Sequence, residues 1–218
     1  MKSVLVIDTS ILCVWLDVPG MNNCGPNNAR LVHYSSDYVY PGTGSEPWQE
    51  ISQTGPLNIY GQTKLEGDQA IQQSGVDHLI FRTSWVYSAR GNNFMKTMLR
   101  LAETKTELNI VVDQVGAPTP ARLIAQVSTL AIHGRLKSGL YHLAPRGETS
   151  WCGFAQAIFQ QADQNVEANP IPTSDYPTPA KRPLNSRLGV KKLEQALKIG
   201  LPTWQSQLEQ TLSEYLEQ

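Results

Sequence analysis

The sequence predicts an α/β fold: an incomplete doubly wound parallel sheet with crossover helices, followed by a small C-terminal lobe. Two observations carry this expectation. Short apolar, β-rich runs alternate with helical stretches whose ends bear capping residues. From about Val166 the alternation stops and a proline-dense segment leads into a last pair of helices.

The elements follow in order. The first strand-like run is "SVLVID", residues 3–8. Lys2 precedes it, but Asp8 interrupts the apolar run and no small-residue cleavage site follows, so it does not read as a secretory signal. "ARLVHYSS" is a buried strand, and the turn-rich "YPGTGSEPW" after it is a loop. Pro56 precedes a helix from about Asn58 to Gln73, stopped by Gly75. "DHLIFRTSW" is the next strand, and "NNFMKTMLRLAETK" a helix opened by Asn92 or Asn93. "LNIVVD" is a strand, "TPARLIAQVSTLAIHG" a helix and "GLYHLA" a strand. "TSWCGFAQAIFQQAD" is a helix capped by Thr149 or Ser150. "NPIPTSDYPTPAKRPLNSRL" has too many prolines for a regular helix or central strand, and its aromatic and basic residues suit an ordered loop that touches something. Helices near 190–198 and 203–216 close the chain.

Composition excludes several classes of function. A formal net charge of -1 offers no electrostatic footing for nucleic acid or a membrane surface. No apolar run approaches the roughly 20 residues of a membrane span. Cys13, Cys24 and Cys152 are widely spaced and form no C-x-x-C pair, which points to free thiols in a reducing, cytoplasmic setting. His33, His78, His133 and His142 lack metal-ligand spacing, so no metal site is expected.

Three groups of residues suit one chemistry. Ser35, Ser36 and Asp37 close a parallel strand at its carboxyl end, where open α/β sheets bind ligands. Tyr60 and Lys64 stand four apart on a helix and share a face. A neighbouring ammonium is expected to lower the phenol's pKa and ready it to protonate a carbonyl under reduction. Trp85, just past a strand end, either stacks on a flat or sugar-like ligand or plugs the core. In the proline-rich segment, Tyr176, Lys181, Arg182 and Arg187 offer aromatic and cationic groups, and arginine's fork suits a diphosphate.

The segments "VHYSSDYVYPGTG", "PLNIYGQTKLEG", "LIFRTSWVY", "GNNFMKTMLRLA", "VDQVGAPT", "GLYHLA" and "YPTPAKRPLNSRL", in this order, resemble the dTDP-4-dehydrorhamnose reductases, a family of the extended short-chain dehydrogenases. The resemblance runs from about Leu31 to the C-terminus. It implies a Rossmann-like sheet, with NADPH or NADH as cofactor and a dTDP-sugar as substrate. It further implies that Tyr60 donates the proton and that Lys64 orients Tyr60 and the nicotinamide ribose. Ser36, where the family has threonine, would contact the sugar beside Asp37; Trp85 and Arg182 would belong to the substrate pocket. The implied reaction is hydride transfer to C4 of dTDP-4-dehydro-L-rhamnose, giving dTDP-L-rhamnose.

The family's opening glycine-rich turn has no counterpart: no G-x-x-G-x-x-G occurs in residues 1–30. The first twenty residues are instead similar to the opening of PIN-domain nucleases, with Asp8 at the place of an acidic ligand. The expected organisation is an atypical segment at 1–30, a Rossmann-like part with Tyr60 and Lys64 at 31–145, and a substrate-binding lobe at 146–218. With its cofactor half missing, the strand "LVHYSS" would lie beside at most "SVLVID", an invitation to homodimerise or to pair with a partner chain. A reductase and a non-catalytic nucleotide-sugar-binding or interaction module both remain open.

Overall fold

The computed structural model describes residues 13–17 and 29–217. Strand β1 (Cys13–Asp17) runs antiparallel to β2 (Ala29–Ser36), pairing Cys13 with His33 and Asp17 with Ala29. A 3-10 turn (Asp37–Val39) follows β2, and helix α1 (Ile59–Gln73) crosses over to β3 (His78–Thr83), parallel to β2. The chain continues through β4 (Val86–Tyr87), α2 (Phe94–Ala102), β5 (Glu107–Val111), β6 (Val115–Gly116) and β7 (Thr119–Pro120). Helix α3 (Ala121–His133) then crosses to β8 (Gly139–His142), parallel to β3. Strand β9 (Thr149–Ser150), α4 (Trp151–Gln161), β10 (Glu167–Ile171), β11 (Asn185–Ser186), α5 (Lys191–Leu197) and α6 (Trp204–Leu216) complete the order.

The main sheet is β1-β2-β3-β8, and its three parallel strands are those expected from "ARLVHYSS", "DHLIFRTSW" and "GLYHLA". Two expectations need correction. The described neighbour of β2 is β1, antiparallel; "SVLVID" and Asp8 lie outside the described residues, as does Cys24. "LNIVVD" does form a strand, but β5 pairs with β10 in a separate two-stranded sheet. Pro170 fits there because β10 is an edge strand, where a missing N–H disrupts no central ladder. Helix caps resolve as the sequence allows. Asn58, Asn93 and Ser150 accept from the backbone N–H groups of Gly61, Lys96 and Gly153.

Two apolar cores result. One joins Val32, Leu79 and Phe81 of the sheet to Leu123 and Val127 of α3 and Leu193 of α5. The other joins Met95 of α2 and Ile110 of β5 to Phe154 and Ile158 of α4 and Leu208 of α6. Each such fully buried side chain contributes about 1.5–3 kcal/mol. Residues 94–111 thus pack in the second core and 190–201 in the first, so the chain passes between the cores more than once.

Helix α1 is held differently. It buries only Gly61, Leu65 and Asp68, too little apolar surface to fix it alone. Gly61 lets its first turn approach the 3-10 turn, since a Cβ there would lie 2.2 Å from the Tyr38 carbonyl oxygen. About two turns further on, the fully buried Asp68 accepts from Arg82 Nε at 2.9 Å and lies 3.5 Å from His33 Nε2. Arg82 Nη1 donates to the Tyr40 hydroxyl at 2.7 Å, which stands 2.6 Å from His142 Nε2. A buried polar chain therefore ties α1 to β2, β3 and β8.

Candidate active site

Ser36 ends β2 and caps the turn after it: its Oγ accepts from Tyr38 N at 3.2 Å and donates to Asp37 Oδ1 at 3.0 Å. Asp37 is 2% exposed, and among the described residues its Oδ2 has no hydrogen-bond partner. Burial pushes its carboxyl up to about 6, against the Ser186 and Ser36 hydroxyls, which favour the charged form.

Tyr60 is the second residue of α1, and its half-exposed ring meets Tyr38 edge-on at 5.5 Å. The expectation for its pKa is overturned. Burial raises the phenol above its usual value, the facing Ser36 hydroxyl lowers it, and the nearby Asp37 charge raises it. Lys64 supplies no lowering here. Its Nζ sits 5.9 Å from the Tyr60 ring centroid and donates to the Tyr34 carbonyl at 3.2 Å, so the ammonium lies over the ring rather than at the hydroxyl. The structure therefore brings Ser36, Asp37, Tyr60 and Lys64 together at the carboxyl end of β2, with Ser36 as the group that favours the phenolate.

Beside them opens a cavity of about 740 Å³ lined by Tyr38, Asn58, Tyr60, Lys181 and Arg182 among others. Arg182 also lines a second cavity of about 480 Å³, walled by Phe94, Met98, Gln114, Trp151 and Tyr176. It stands on the exposed strap between them; burial and the Asp37 charge raise the Tyr38 phenol's pKa, and Arg182 is close enough for its charge to oppose that rise. Arg187 does not join this pair of cavities, because it is engaged with Glu148 at 2.8 Å.

Trp85 is placed differently from a free stacking platform. Its backbone is left-handed (φ 49°), a strained setting for a bulky residue. Hydrogen bonds from Ser84 Oγ to Ala117 O and from Thr119 N to Trp85 O hold it there. Its ring is stacked on Trp151 at 3.8 Å and 13°, and Gly116 abuts it, a Cβ there falling 3.1 Å from the indole. One indole face is thus already covered.

Several neighbours were not singled out as site residues from the sequence: Tyr38, Asn58, Gln114, Trp151 and Ser186. Gln114 accepts from Trp151 Nε1 at 3.2 Å and donates to Thr173 Oγ1 at 3.1 Å, linking the tryptophan pair to the strap. Asn58 carried a signal as the start of the helix after Pro56.

Comparison with known proteins places this geometry. The RmlD substrate binding domain family matches residues 21–217. The chain is 48% identical over 196 residues to dTDP-4-dehydrorhamnose reductase of Salmonella typhimurium, covering 85% of this chain and 66% of that protein. It is 46% identical to the enzyme of that name from Shigella flexneri, over 93% of this chain and 70% of the relative. A crystal structure of dTDP-4-dehydrorhamnose reductase from Bacillus anthracis str. Ames in complex with NADP superposes with a TM-score of 0.80 at 36% identity, covering 84% of this chain and 65% of that one. The chain thus spans slightly less than two thirds of the Salmonella relative's length. Its sheet is a partial Rossmann-like one, and the chain belongs to the RmlD substrate binding domain family, whose curated relatives are dTDP-4-dehydrorhamnose reductases.

Proposed function

We propose that this chain is the sugar-nucleotide-binding and proton-donating part of an NAD(P)H-dependent reductase that converts dTDP-4-dehydro-L-rhamnose to dTDP-L-rhamnose. The observation that carries the reading is the Ser36–Tyr60–Lys64 cluster, whose Tyr60 lines one cavity together with Arg182. The strong identity to reductases of that name supports it.

In this reading Tyr60 and Lys64 hold the nicotinamide ribose end of the cofactor. The half-exposed Tyr60 and the Lys64 ammonium over its ring fit that role. When bound, the cofactor supplies the hydride for C4. The chain's own residues do the rest. Ser36 hydrogen-bonds the sugar carbonyl and holds it against the Tyr60 hydroxyl. Tyr60 gives its proton to O4 as charge develops there. A phenol pKa above the usual value keeps that proton in place until the oxygen becomes basic. Once O4 is protonated, Ser36 turns its one hydroxyl proton to the phenolate left behind, and Lys64, which would hold the nicotinamide ribose, keeps its positive charge near that ring. Asp37 Oδ2, lacking a protein partner among the described residues, accepts from a sugar hydroxyl. Arg182 pairs with the diphosphate between the two cavities, and the cavity of Phe94, Trp151 and Tyr176 receives the base. Trp85 forms the pocket's wall, backed by Trp151. We place the substrate-binding lobe at 146–218 and the catalytic part at 31–145, in a cytoplasmic protein that dimerises or joins a partner chain.

The dinucleotide's pyrophosphate end has no glycine-rich fingerprint in this sequence. That favours a second reading, a sugar-nucleotide-binding module without turnover of its own. NADPH titration followed by cofactor fluorescence separates the two. Micromolar affinity supports the complete reductase; no saturation up to millimolar NADPH, with dTDP-sugar binding intact, supports the binding module.

A further inference from the structure

Asn58 occupies a place that neither catalysis nor simple helix capping requires. Its Oδ1 accepts from Gly61 N at 2.9 Å, closing the first turn of α1. Its Nδ2 donates to the Lys181 carbonyl at 2.8 Å, across 123 residues of sequence. Both partners fix the carboxamide's orientation, because a backbone N–H can only donate and a carbonyl can only accept. Serine, threonine or aspartate would cap the helix as well. None of them offers a donor that reaches the strap while its oxygen caps. Tyr60 lies two residues after Asn58, and Arg182 one residue after Lys181. All four line the same cavity.

The strap is clasped at its other end too. Thr173 N donates to both Asp113 carboxylate oxygens, at 2.9 and 3.0 Å, and Thr173 Oγ1 donates to Asp113 at 2.6 Å. Between the clasps, residues 174–180 are stiffened by Pro177 and Pro179 and are mostly exposed. With one end closed by three hydrogen bonds, Asn58 is the one described side chain outside the strap that hydrogen-bonds residues 179–182.

We propose that Asn58 is a positioning residue that clasps the proline-rich strap to the helix bearing Tyr60, so that Arg182 and Tyr60 are held at a fixed separation on one cavity. This inference rests on the proposed sugar-nucleotide site, in which Arg182 meets the diphosphate and Tyr60 the sugar. Without the clasp the cap survives, but residues 180–182 lose their tie to α1 and are next held at Leu184, whose carbonyl accepts from Val115 N at 2.8 Å.

Asn58→Ser tests this, since serine keeps the cap and adds no charge. Backbone 15N relaxation of the chain reads the clasp without any ligand. Order parameters of Ala180, Lys181 and Arg182 should fall from about 0.85 toward about 0.6 in Asn58→Ser, while those of α1 keep wild-type values. Calorimetric titration with dTDP-L-rhamnose reads the consequence: affinity should fall about 3- to 10-fold, as loss of one ordering hydrogen bond implies. Asn58→Ala should add faster amide exchange in the first turn of α1, where Gly61 N loses its side-chain acceptor. Unchanged strap order parameters in Asn58→Ser overturn the clasp, whatever the ligand does. Greater strap mobility with unchanged affinity overturns the coupling. If the wild-type chain takes up no dTDP-L-rhamnose while the difference in mobility holds, the site reading fails and the clasp stands.

Discussion

Replacing Asp68 by alanine removes the only carboxylate paired with Arg82 among the described residues, and the cost follows from burial. Asp68 is 0% and Arg82 4% exposed, with Nε and Oδ2 2.9 Å apart. At that depth a lone guanidinium keeps only the Tyr40 hydroxyl at 2.7 Å and the Tyr40 ring, 5.1 Å from its carbon, as compensation. Breaking one side of a buried pair typically costs about 3–5 kcal/mol. For a chain of this size that corresponds to a Tm loss of roughly 6–20 °C. Asp68→Asn keeps an acceptor but loses the charge, and should fall between wild type and alanine. Because α1 buries so little apolar surface, the loss should concentrate there. In urea, unfolding followed by far-UV circular dichroism gives the total, and hydrogen exchange should show α1 opening below the global transition. A loss under about 1 kcal/mol for Asp68→Ala would refute the reasoning, because it would mean that water reaches Arg82 and that the network does not hold the helix.

Three further outcomes are expected. Tyr60→Phe, in a setting where cofactor is supplied, should slow reduction of dTDP-4-dehydro-L-rhamnose by roughly 10²–10⁴-fold with little change in dTDP-sugar affinity, as measured by NADPH absorbance under saturating substrate. Arg182→Ala should weaken dTDP-L-rhamnose binding by about 1.5–3 kcal/mol, the range for a charge-assisted contact, and an unchanged calorimetric Kd would remove Arg182 from the site. His142 is held neutral by burial, which lowers its pKa to about 3 from the model-peptide 6.5. A depressed folded pKa means that the unfolded chain takes the proton first, so its contribution is whole above pH 6.5 and is lost as pH falls toward 3. Asp37, raised to about 6, acts oppositely: its contribution is whole below pH 3.8 and is lost as pH rises through 6. The difference in Tm between wild type and His142→Gln across pH 4–7 isolates the histidine, and it should shrink as the medium is acidified; a pH-independent difference would contradict a neutral buried imidazole.

The residues that touch locally were legible in the sequence. Ser36, Asp37, Tyr60 and Lys64 sit at a strand end and on one helix face, positions that chain order and a 3.6-residue period define. The caps at Asn93 and Ser150 were legible for the same reason. What depends on long-range packing was not. Periodicity gives β5 as a strand but cannot say which sheet takes it, and its partner β10 lies 60 residues further on. The effect of Lys64 on Tyr60 depends on where an ammonium at the end of four flexible bonds comes to rest. Here the Tyr34 carbonyl holds it, a contact made through the sheet and not along the helix. Trp85 is the sharpest case. The sequence left open whether it stacks on a ligand or fills space. Its partner Trp151 lies 66 positions away, and the side chain that orients Trp151, Gln114, belongs to a third segment.

Calorimetric titration of the purified chain with dTDP-L-rhamnose tests the central claim most directly, because it asks whether the two cavities joined by Arg182 form a sugar-nucleotide site without requiring turnover. The account predicts saturable one-to-one binding that dTDP competes for and that Arg182→Ala weakens. Absence of saturable binding up to millimolar ligand, by a chain whose circular dichroism and cooperative unfolding show it to be folded, would contradict it.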